Sequence, residues 1–513
     1  MNAPPSGHES YWLASAPASA ADSRPPLEPG SGTETDVAVV GGGIAGLSTA
    51  WELARAGYEV TVLEAERIAA GVTGHTTAKV TALHSLVYDT LRRTHGPEGA
   101  RLYARSHQDA VEHVARVVRE LDIDCDLERV PAYTWAESDE QDERVRAEAE
   151  AAAEAGLPAT YVIDTRLPFP VRGAVRVADQ AQFHPRRYLL ALAEDLLRRG
   201  GRIAERTRAV GLEEGEPCRV TAENGATVTA RSVVVATHYP VFDRALLFSR
   251  LKPHRELVVA AAIPADQDPA GMYLTPEHNT RSARTAPYGD GQRLLIVTGE
   301  RFPPGTADVA ERFERLGAWV RERFPDARFV HRWATQDNDS TDRVPYIGPF
   351  HAGARHTYVA TGFGGWGMSG GVLTGRLLTA YLTDGELPPW AGLYDPRRLP
   401  GLREAPSLLG LQATVARHFV GDRLRPAHVD SVAEIAPGSG AIVRVGGRRC
   451  AVHRDADGQV HAVSARCTHL GCLVHFNDAE PAWECPCHGS RFAPDGSVLQ
   501  SPATRPLEPR DLG

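Results

Sequence analysis

The chain has 513 residues, a formal net charge of −9 at pH 7 and a pI of about 6.1. Its length is too great for one hydrophobic core and predicts roughly two to four domains, while the acidic balance argues against a nucleic-acid partner. No apolar run reaches the roughly eighteen residues of a membrane span, and the N-terminal segment lacks the features of an export signal, so we expect a cytoplasmic protein.

The N-terminal segment, residues 1–35, is rich in Pro, Ser, Ala and Gly and predicts an extended arm. Tyr11 and Trp12 interrupt its polarity and provide an aromatic anchor by which the arm can dock. A strongly apolar pattern follows the arm and marks the start of the first folded domain.

This pattern has the form of a βαβ unit. Asp36 to Val40 predicts a buried strand, Ile44 to Ala56 a helix, and Glu59 to Leu63 a second strand. The turn before the helix carries a dinucleotide-binding fingerprint, whose glycines permit a tight turn, a close pyrophosphate and close helix–strand packing. Its residues are Gly41, Gly43, Ile44, Ala45 and Gly46. Glu64 ends the second strand, where a carboxylate can accept hydrogen bonds from ribose hydroxyls.

Two later segments favour FAD over NAD. Arg67 to Thr77 and the glycine-rich segment Ala360 to Ser369 resemble the flavin-contacting loops of the D-amino acid oxidase and glycine oxidase family. The resemblance spans about Asp36 to Leu393 and implies an α/β FAD-binding fold, Rossmann-like, with an interleaved antiparallel-sheet substrate domain. The helix predicted from Gly371 to Leu382 would present its positive end to the flavin. The further FAD contacts that the resemblance implies are Ala65, Thr73, Thr77, Gly362, Phe363, Gly364, Gly367 and Met368.

The catalytic residues are less clearly marked. A substrate carboxylate needs a cationic partner, for which the candidates are Arg255, Arg281, Arg332 and Arg343. His84 and His238 are candidate proton acceptors, although a structural histidine is the plainer interpretation of each. Gln336 lies in a segment that resembles one the family places beside the flavin.

The rest of the sequence predicts a connector and a second domain. Arg202 to Val210 predicts a strand of the first domain, which covers residues 36–395. Residues 396–427 predict a linker with a helix from Leu408 to Val420, and residues 428–513 predict an all-β domain.

Four of the seven cysteines lie close together in that last domain, interleaved with histidines. The two boxes are Cys467-Thr-His469-Leu-Gly-Cys472 and Cys485-Pro-Cys487-His488-Gly-Ser490. Paired Cys and His ligands predict a [2Fe–2S] cluster with two thiolates on one iron and two imidazoles on the other. A zinc site or a disulfide knot is the alternative, but the order of both boxes with Gly471 and Ser490 favours the cluster.

The boxes resemble Rieske proteins of the cytochrome bc1 type, over about Val432 to Pro509. The resemblance implies that Cys467, His469, Cys485 and His488 are the cluster ligands. It also implies a disulfide between Cys472 and Cys487 and a covering loop at Pro502 to Pro506. Phe492 stands where high-potential members carry a tyrosine that donates a hydrogen bond to a ligand cysteine. We therefore predict a reduction potential below that of the respiratory proteins.

Together these features predict a flavoenzyme that oxidises a C–N bond of an amine or amino acid by hydride transfer to FAD. Its Rieske cluster would pass the electrons singly to an external acceptor. The alternative is an electron-transfer flavoprotein that takes electrons from NAD(P)H or a partner protein, although no second dinucleotide fingerprint is present. A redox sensor without turnover is a third possibility.

Overall fold

The computed structural model describes residues 8–17, 24–383, 385–398, 409–413, 417, 429 and 431–512. Its helices are α1 (Tyr11–Ser15), α2 (Ile44–Arg55), α3 (Val87–Thr94), α4 (Gly96–Glu120), α5 (Asp139–Glu154), α6 (Pro185–Arg198), α7 (Val309–Arg323), α8 (Gly367–Leu382) and α9 (Ala391–Tyr394). None of the helices in these ranges is long and apolar enough to span a membrane.

Strands of the first domain form two sheets. They are β1 (Gly32–Val40), β2 (Val60–Leu63), β3 (Lys79–Val80), β4 (Glu128–Ala136), β5 (Ala159–Val162), β6 (Gly173–Gln182), β7 (Arg202–Ala204), β8 (Ala209–Glu213), β9 (Cys218–Ala222), β10 (Thr227–Val235), β11 (Leu251–Pro264), β12 (Met272–Leu274), β13 (Arg281–Pro287), β14 (Gln292–Phe302), β15 (Arg328–Ser340), β16 (Tyr346–Pro349) and β17 (Thr357–Thr361).

The first sheet has the strand order β16–β17–β10–β1–β2–β7, with β9 and β8 added beside β10. β1 pairs in parallel with both β2 and β10, and β10 pairs in parallel with β17. A parallel sheet must be covered on both faces, and the apolar second half of β1 is buried accordingly. The ends of β1, β10 and β17 therefore meet at one edge of the sheet, where ligands of doubly wound folds bind.

The second sheet is mainly antiparallel and has the order β15–β11–β14–β13–β12–β4–β6–β3, with β5 beside β6. Its strands come from two stretches of the chain, before and after β10, so this sheet is interleaved with the first. The long strands β11, β14 and β15 alternate between the two core clusters, which gives the sheet two buried faces.

The N-terminal arm differs from its prediction. Residues 11–15 form the short helix α1, which begins where the Ser10 hydroxyl accepts a hydrogen bond from the Trp12 amide. Trp12 is 1% exposed, and its indole donates to the carbonyl of Thr76. β1 begins at Gly32 because it extends its pairing with β10 as far as Thr227. Part of the predicted extended arm is thus a helix and a strand.

Two other elements differ from the sequence prediction. The strand predicted from Arg202 to Val210 is divided into β7 and β8, since Arg206 adopts a positive φ and its amide donates to Glu66. α8 begins at Gly367 rather than Gly371. Of the helix predicted at Leu408–Val420, residues 409–413 are helical and most others lie outside the described residues.

The C-terminal domain is all-β within residues 431–512. Its strands are β18 (Gly440–Val445), β19 (Arg448–Arg454), β20 (Val460–Ser464), β21 (His475–Asn477), β22 (Ala482–Glu484), β23 (Arg491–Phe492) and β24 (Val498–Gln500). β18 to β20 form one antiparallel sheet and β21 to β24 another. The two Cys/His boxes lie in the loops that precede β21 and β23.

Candidate functional site

Two cavities meet between the sheets of the first domain. The first, here called the cradle, has a volume of about 510 Å³ and runs along the ends of β1 and β2. The second, here called the inner cavity, has a volume of about 750 Å³. The residues that line both are Thr76, Thr77, Glu256, Thr298, Phe363 and Gly365.

The glycine turn forms one wall of the cradle. Gly41 has φ of +110°, and a Cβ there would lie 2.4 Å from the carbonyl oxygen of Ala236. At Gly46 a Cβ would lie 1.9 Å from the carbonyl oxygen of Gly41. Both clashes are with backbone, so only glycine fits. No side chain caps α2 through Gly43, which leaves a positively polarised helix end at the cavity, suited to a pyrophosphate.

Glu64 and Thr73 hold the loops of the cradle in place. The Glu64 carboxylate accepts hydrogen bonds from the amides of Gly42 at 2.7 Å and Glu66 at 2.9 Å. Burial raises the pKa of Glu64. The Thr73 hydroxyl accepts from the Ile44 amide at 3.1 Å. A carboxylate with free lone pairs at this wall suits ribose hydroxyls.

The opposite wall is the start of α8, which also has no side-chain cap. Phe363, Gly367 and Met368 line the cradle there, as do Ala65 and Thr77 on the facing loop. Gly362 and Gly364 line the inner cavity instead. An elongated cavity with a polarised helix end at each side, a glycine turn and a carboxylate fits FAD.

The two candidate histidines have different surroundings. His84 is buried in the wall of the inner cavity, where Nδ1 meets the Tyr103 hydroxyl and Nε2 meets the Thr81 carbonyl, each at 2.7 Å. Burial, aided by His107, lowers its pKa well below the ordinary value. Both ring nitrogens of His84 thus have hydrogen-bond partners among the described residues. His238 lines the cradle with φ of +66°, and its Nε2 lies 3.5 Å from Asp337.

Three of the four candidate arginines do not reach the inner cavity. Arg281 pairs with Glu300 at 2.6 Å, and the Arg332 guanidinium lies over the Phe313 ring. Arg255 lines the cradle but is bound by carboxylates of the C-terminal domain. Arg343 alone of the four lines the inner cavity.

The two Cys/His loops of the C-terminal domain have matching backbones. Gly471 donates to the Cys467 carbonyl at 3.0 Å, and Gly489 donates to the Cys485 carbonyl at 2.9 Å. Both glycines have φ near +80°. A disulfide between Cys472 and Cys487 joins the loops.

Four potential ligand groups converge between the loops. Cys467 and Cys485 are buried free thiols, and the rings of His469 and His488 lie 4.9 Å apart at 88°. Nδ1 of His469 and both ring nitrogens of His488 are buried without a hydrogen-bond partner in the described structure. Burial lowers the pKa of His469 to about 4 and that of His488 to about 3, so both imidazoles are neutral. Two thiols and two neutral imidazoles with unused donor atoms fit a [2Fe–2S] cluster of mixed ligation.

The proline segment and Ser490 surround this group. The Ala503 amide donates to the Ser490 hydroxyl at 3.0 Å, and the Thr468 hydroxyl donates to the Arg505 carbonyl at 2.6 Å. The segment is thereby attached to both loops. Phe492 is fully buried beside them and has no hydroxyl to donate.

The histidine side of these loops faces the first domain. Tyr239, which follows β10, is edge-on to both His469 and His488, with ring centroids 6.3 and 6.0 Å apart. Phe248 is edge-on to His488 at 5.9 Å. The Gln336 side chain donates to the carbonyl of Gly489 at 2.9 Å.

A buried charge cluster fastens the domains together. Arg255 pairs with Glu480 at 2.6 Å and hydrogen-bonds Glu484. Arg491 lies 3.2 Å from Glu484 and 3.6 Å from Glu480. The amide of Gly305 also donates to Glu484. Every charge in this cluster therefore has an opposite partner, as burial requires.

Sequence reasoning missed several residues of these sites. Tyr239 and Glu256 belong to no recognisable sequence motif. Only the folding of the chain brings each of them to its site. Lys79 lines the inner cavity and hydrogen-bonds Ser282. A signal for it was available, because the chain has only two lysines, Lys79 and Lys252.

Comparisons with known proteins give two family matches and several similar proteins. The family model for FAD dependent oxidoreductases matches residues 36–381, and the model for the Rieske [2Fe-2S] domain matches residues 426–510. The Bacillus subtilis (strain 168) protein YhfW, named for a Rieske 2Fe-2S iron-sulfur protein, is 34% identical over 98% of both chains. Gamma-glutamylputrescine oxidoreductase of Escherichia coli (strain K12) is 25% identical over 68% of this chain and 83% of its own. Glycine oxidase from Geobacillus kaustophilus superposes with a TM-score of 0.60 at 19% identity, covering 72% of this chain and all of its own.

Proposed function

Since this chain belongs to the family of FAD-dependent oxidoreductases, we propose that it oxidises a C–N bond of an amine or amino acid and passes the electrons singly to an external acceptor. It is an oxidoreductase of the amino acid oxidase type with a Rieske domain, which confirms the fold class and the two cofactors predicted from the sequence. When bound, FAD accepts a hydride and the cluster accepts one electron at a time.

The contact between the cradle and the Rieske domain is the observation that carries this proposal. Leu499, Gln500, Ser501 and Thr504 of the Rieske domain line the cradle, and the Ser501 hydroxyl donates to the Thr237 carbonyl at 3.1 Å. The two loops that fit the cluster lie against Tyr239. Holding both cofactor sites in one chain gives them a high effective concentration for each other.

The protein keeps this junction dry and fixed. Tyr239 and His488 are each 1% exposed. Gln336 lies on β15 and lines the cradle, so its hydrogen bond to Gly489 attaches the backbone beside His488 to the wall of the FAD site. Exclusion of water from such a junction lowers the reorganisation that accompanies a change of charge.

Anaerobic titration of the holoprotein tests the proposal. Primary amines, amino acids and N-methyl amino acids are added in turn while flavin absorbance and the electron spin resonance signal of the reduced cluster are recorded together. We expect a substrate to bleach the flavin first and to reduce the cluster second. Cys485→Ser, which removes a cluster ligand, should leave flavin reduction intact and abolish the resonance signal.

Two results would contradict the proposal. Cluster reduction by the same amine in FAD-depleted protein would remove the flavin from the route. Rapid flavin reduction by NADH, with no reduction by any amine, would favour the electron-transfer alternative.

A further inference from the structure

The inner cavity concentrates positive charge in a chain whose net charge is −9. Its basic lining residues are Lys79, Arg144, Lys252, Arg301 and Arg343. Its acidic lining residues are Glu256 and Asp339. The cavity therefore has five basic groups against two acidic ones and attracts anions.

The excess charge lies at the exposed end of the cavity. Lys252 and Arg343 are exposed, and neither has an ion-pair partner among the described residues. Arg144 is also exposed and donates to the neutral side chain of Gln141. Arg301, by contrast, is neutralised by Asp339. Exposed basic groups without counter-charges at a cavity entrance draw in an anionic molecule.

Lysine usage singles out the same cavity. Only two of the 56 basic residues in the chain are lysines, and both line the inner cavity. A lysine ammonium is a compact charge on a flexible stem, whereas the guanidinium of arginine is a rigid planar fork. Both lysines therefore lie at one cavity, whereas every other Lys or Arg position in the chain is an arginine.

The other end of the cavity is electrically balanced. Glu256 lines both the inner cavity and the cradle, and it accepts a hydrogen bond from the Thr298 hydroxyl at 3.0 Å. Lys79 is buried near it and hydrogen-bonds Ser282. Glu256 thus places a carboxylate at the junction with the FAD site, where a substrate ammonium would find its counter-charge.

We propose that the inner cavity binds an amine that carries two acidic groups, with its ammonium group toward Glu256 and its outer acidic group at Lys252 and Arg343. This inference rests on the proposed function and names the substrate class of that same site. A net anionic amine matches both the balanced inner end and the positive entrance.

Binding of a non-oxidisable diacid tests the charge argument without turnover. Glutarate is titrated into the holoprotein and followed through the visible spectrum of the bound flavin, with putrescine as the dicationic counterpart. We expect glutarate to perturb the spectrum and putrescine to have no effect. Lys252→Gln and Arg343→Gln should each weaken glutarate binding by about threefold to tenfold, and 0.5 M salt should weaken it in the wild type. Arg219→Gln, an exposed arginine that lines neither cavity, should bind glutarate like the wild type.

Flavin reduction separates this inference from the function on which it rests. N-methylaspartate, N-methylglycine and N-methylethylamine differ in the number of acidic groups, and we expect reduction to be fastest for the first. Reduction by N-methylethylamine as fast as by N-methylaspartate, or no binding of glutarate, would overturn the substrate class and leave amine oxidation standing. Glutarate binding with no reduction by any amine would overturn the proposed oxidation and leave the diacid site standing.

Discussion

Arg255→Ala tests how firmly the Rieske domain is held against the FAD domain. Arg255 is 1% exposed and contacts the carboxylates of Glu480 and Glu484. Its removal leaves both carboxylates to Arg491 alone, so one buried negative charge has no counter-charge. Breaking a buried pair in this way costs about 3–5 kcal/mol.

The pH dependence of the free energy of unfolding gives a second estimate of what the Arg255 contacts contribute. Burial would raise the pKa of Glu480, but Arg255 and Arg491 outweigh it and lower the pKa to about 2 from 4.5. A shift of that size corresponds to about 3 kcal/mol of stability. Because the folded pKa is depressed, this stability is fully present above pH 4.5 and is lost as the pH falls toward 2. In Arg255→Ala the loss between pH 4.5 and 2 should become shallower.

Urea unfolding of the holoprotein at pH 7, pH 4 and pH 3, followed by tryptophan fluorescence and flavin release, provides the measurement. Arg172→Ala serves as the control, since Arg172 and its partner Asp139 are both largely exposed and their pair should contribute under about 1 kcal/mol. An unfolding free energy of Arg255→Ala within about 1 kcal/mol of the wild type at pH 7 would refute the reasoning.

Four further predictions follow from the site geometry. Glu64→Ala should weaken FAD retention on gel filtration, since the turn loses the acceptor of its Gly42 and Glu66 amides, and unchanged retention would contradict this. Phe492→Tyr should raise the cluster potential in a redox titration by adding a hydroxyl donor, and a respiratory-like potential in the wild type would contradict the lower value predicted here. Lys79→Met should flatten the rise of stability from pH 7 to 10.5, because burial lowers the pKa of Lys79 to about 7 and the unfolded chain alone binds that proton over this range. Trp12→Ala should cost about 3–5 kcal/mol in denaturant unfolding by emptying a buried site beside Thr76, and a cost under about 1 kcal/mol would show that the helix at residues 11–15 is weakly attached.

Local motifs indicated both cofactors. The spacing from Gly41 to Gly46 and the spacing within each Cys/His loop involve residues close in sequence, so a motif can be recognised without the fold. The start of α8 was placed too late because a glycine run has low helix propensity, which packing of α8 against α2 overrides.

The features that the sequence could not predict depend on contacts between residues that lie far apart in the chain. Arg255 was a candidate for a substrate carboxylate, but its partner Glu484 lies 229 residues further along the chain. Glu256 is adjacent to Arg255 and lines both cavities, whereas Arg255 lines the cradle alone and is held there by Glu480 and Glu484. Only the fold shows which of these two adjacent charged residues reaches the inner cavity.

The position of Leu499 to Thr504 against the cradle couples FAD retention to docking of the Rieske domain. One wall of the FAD site is formed by residues of that domain. Separation of the two domains would remove this wall, so variants that weaken the buried charge cluster should also release FAD more readily.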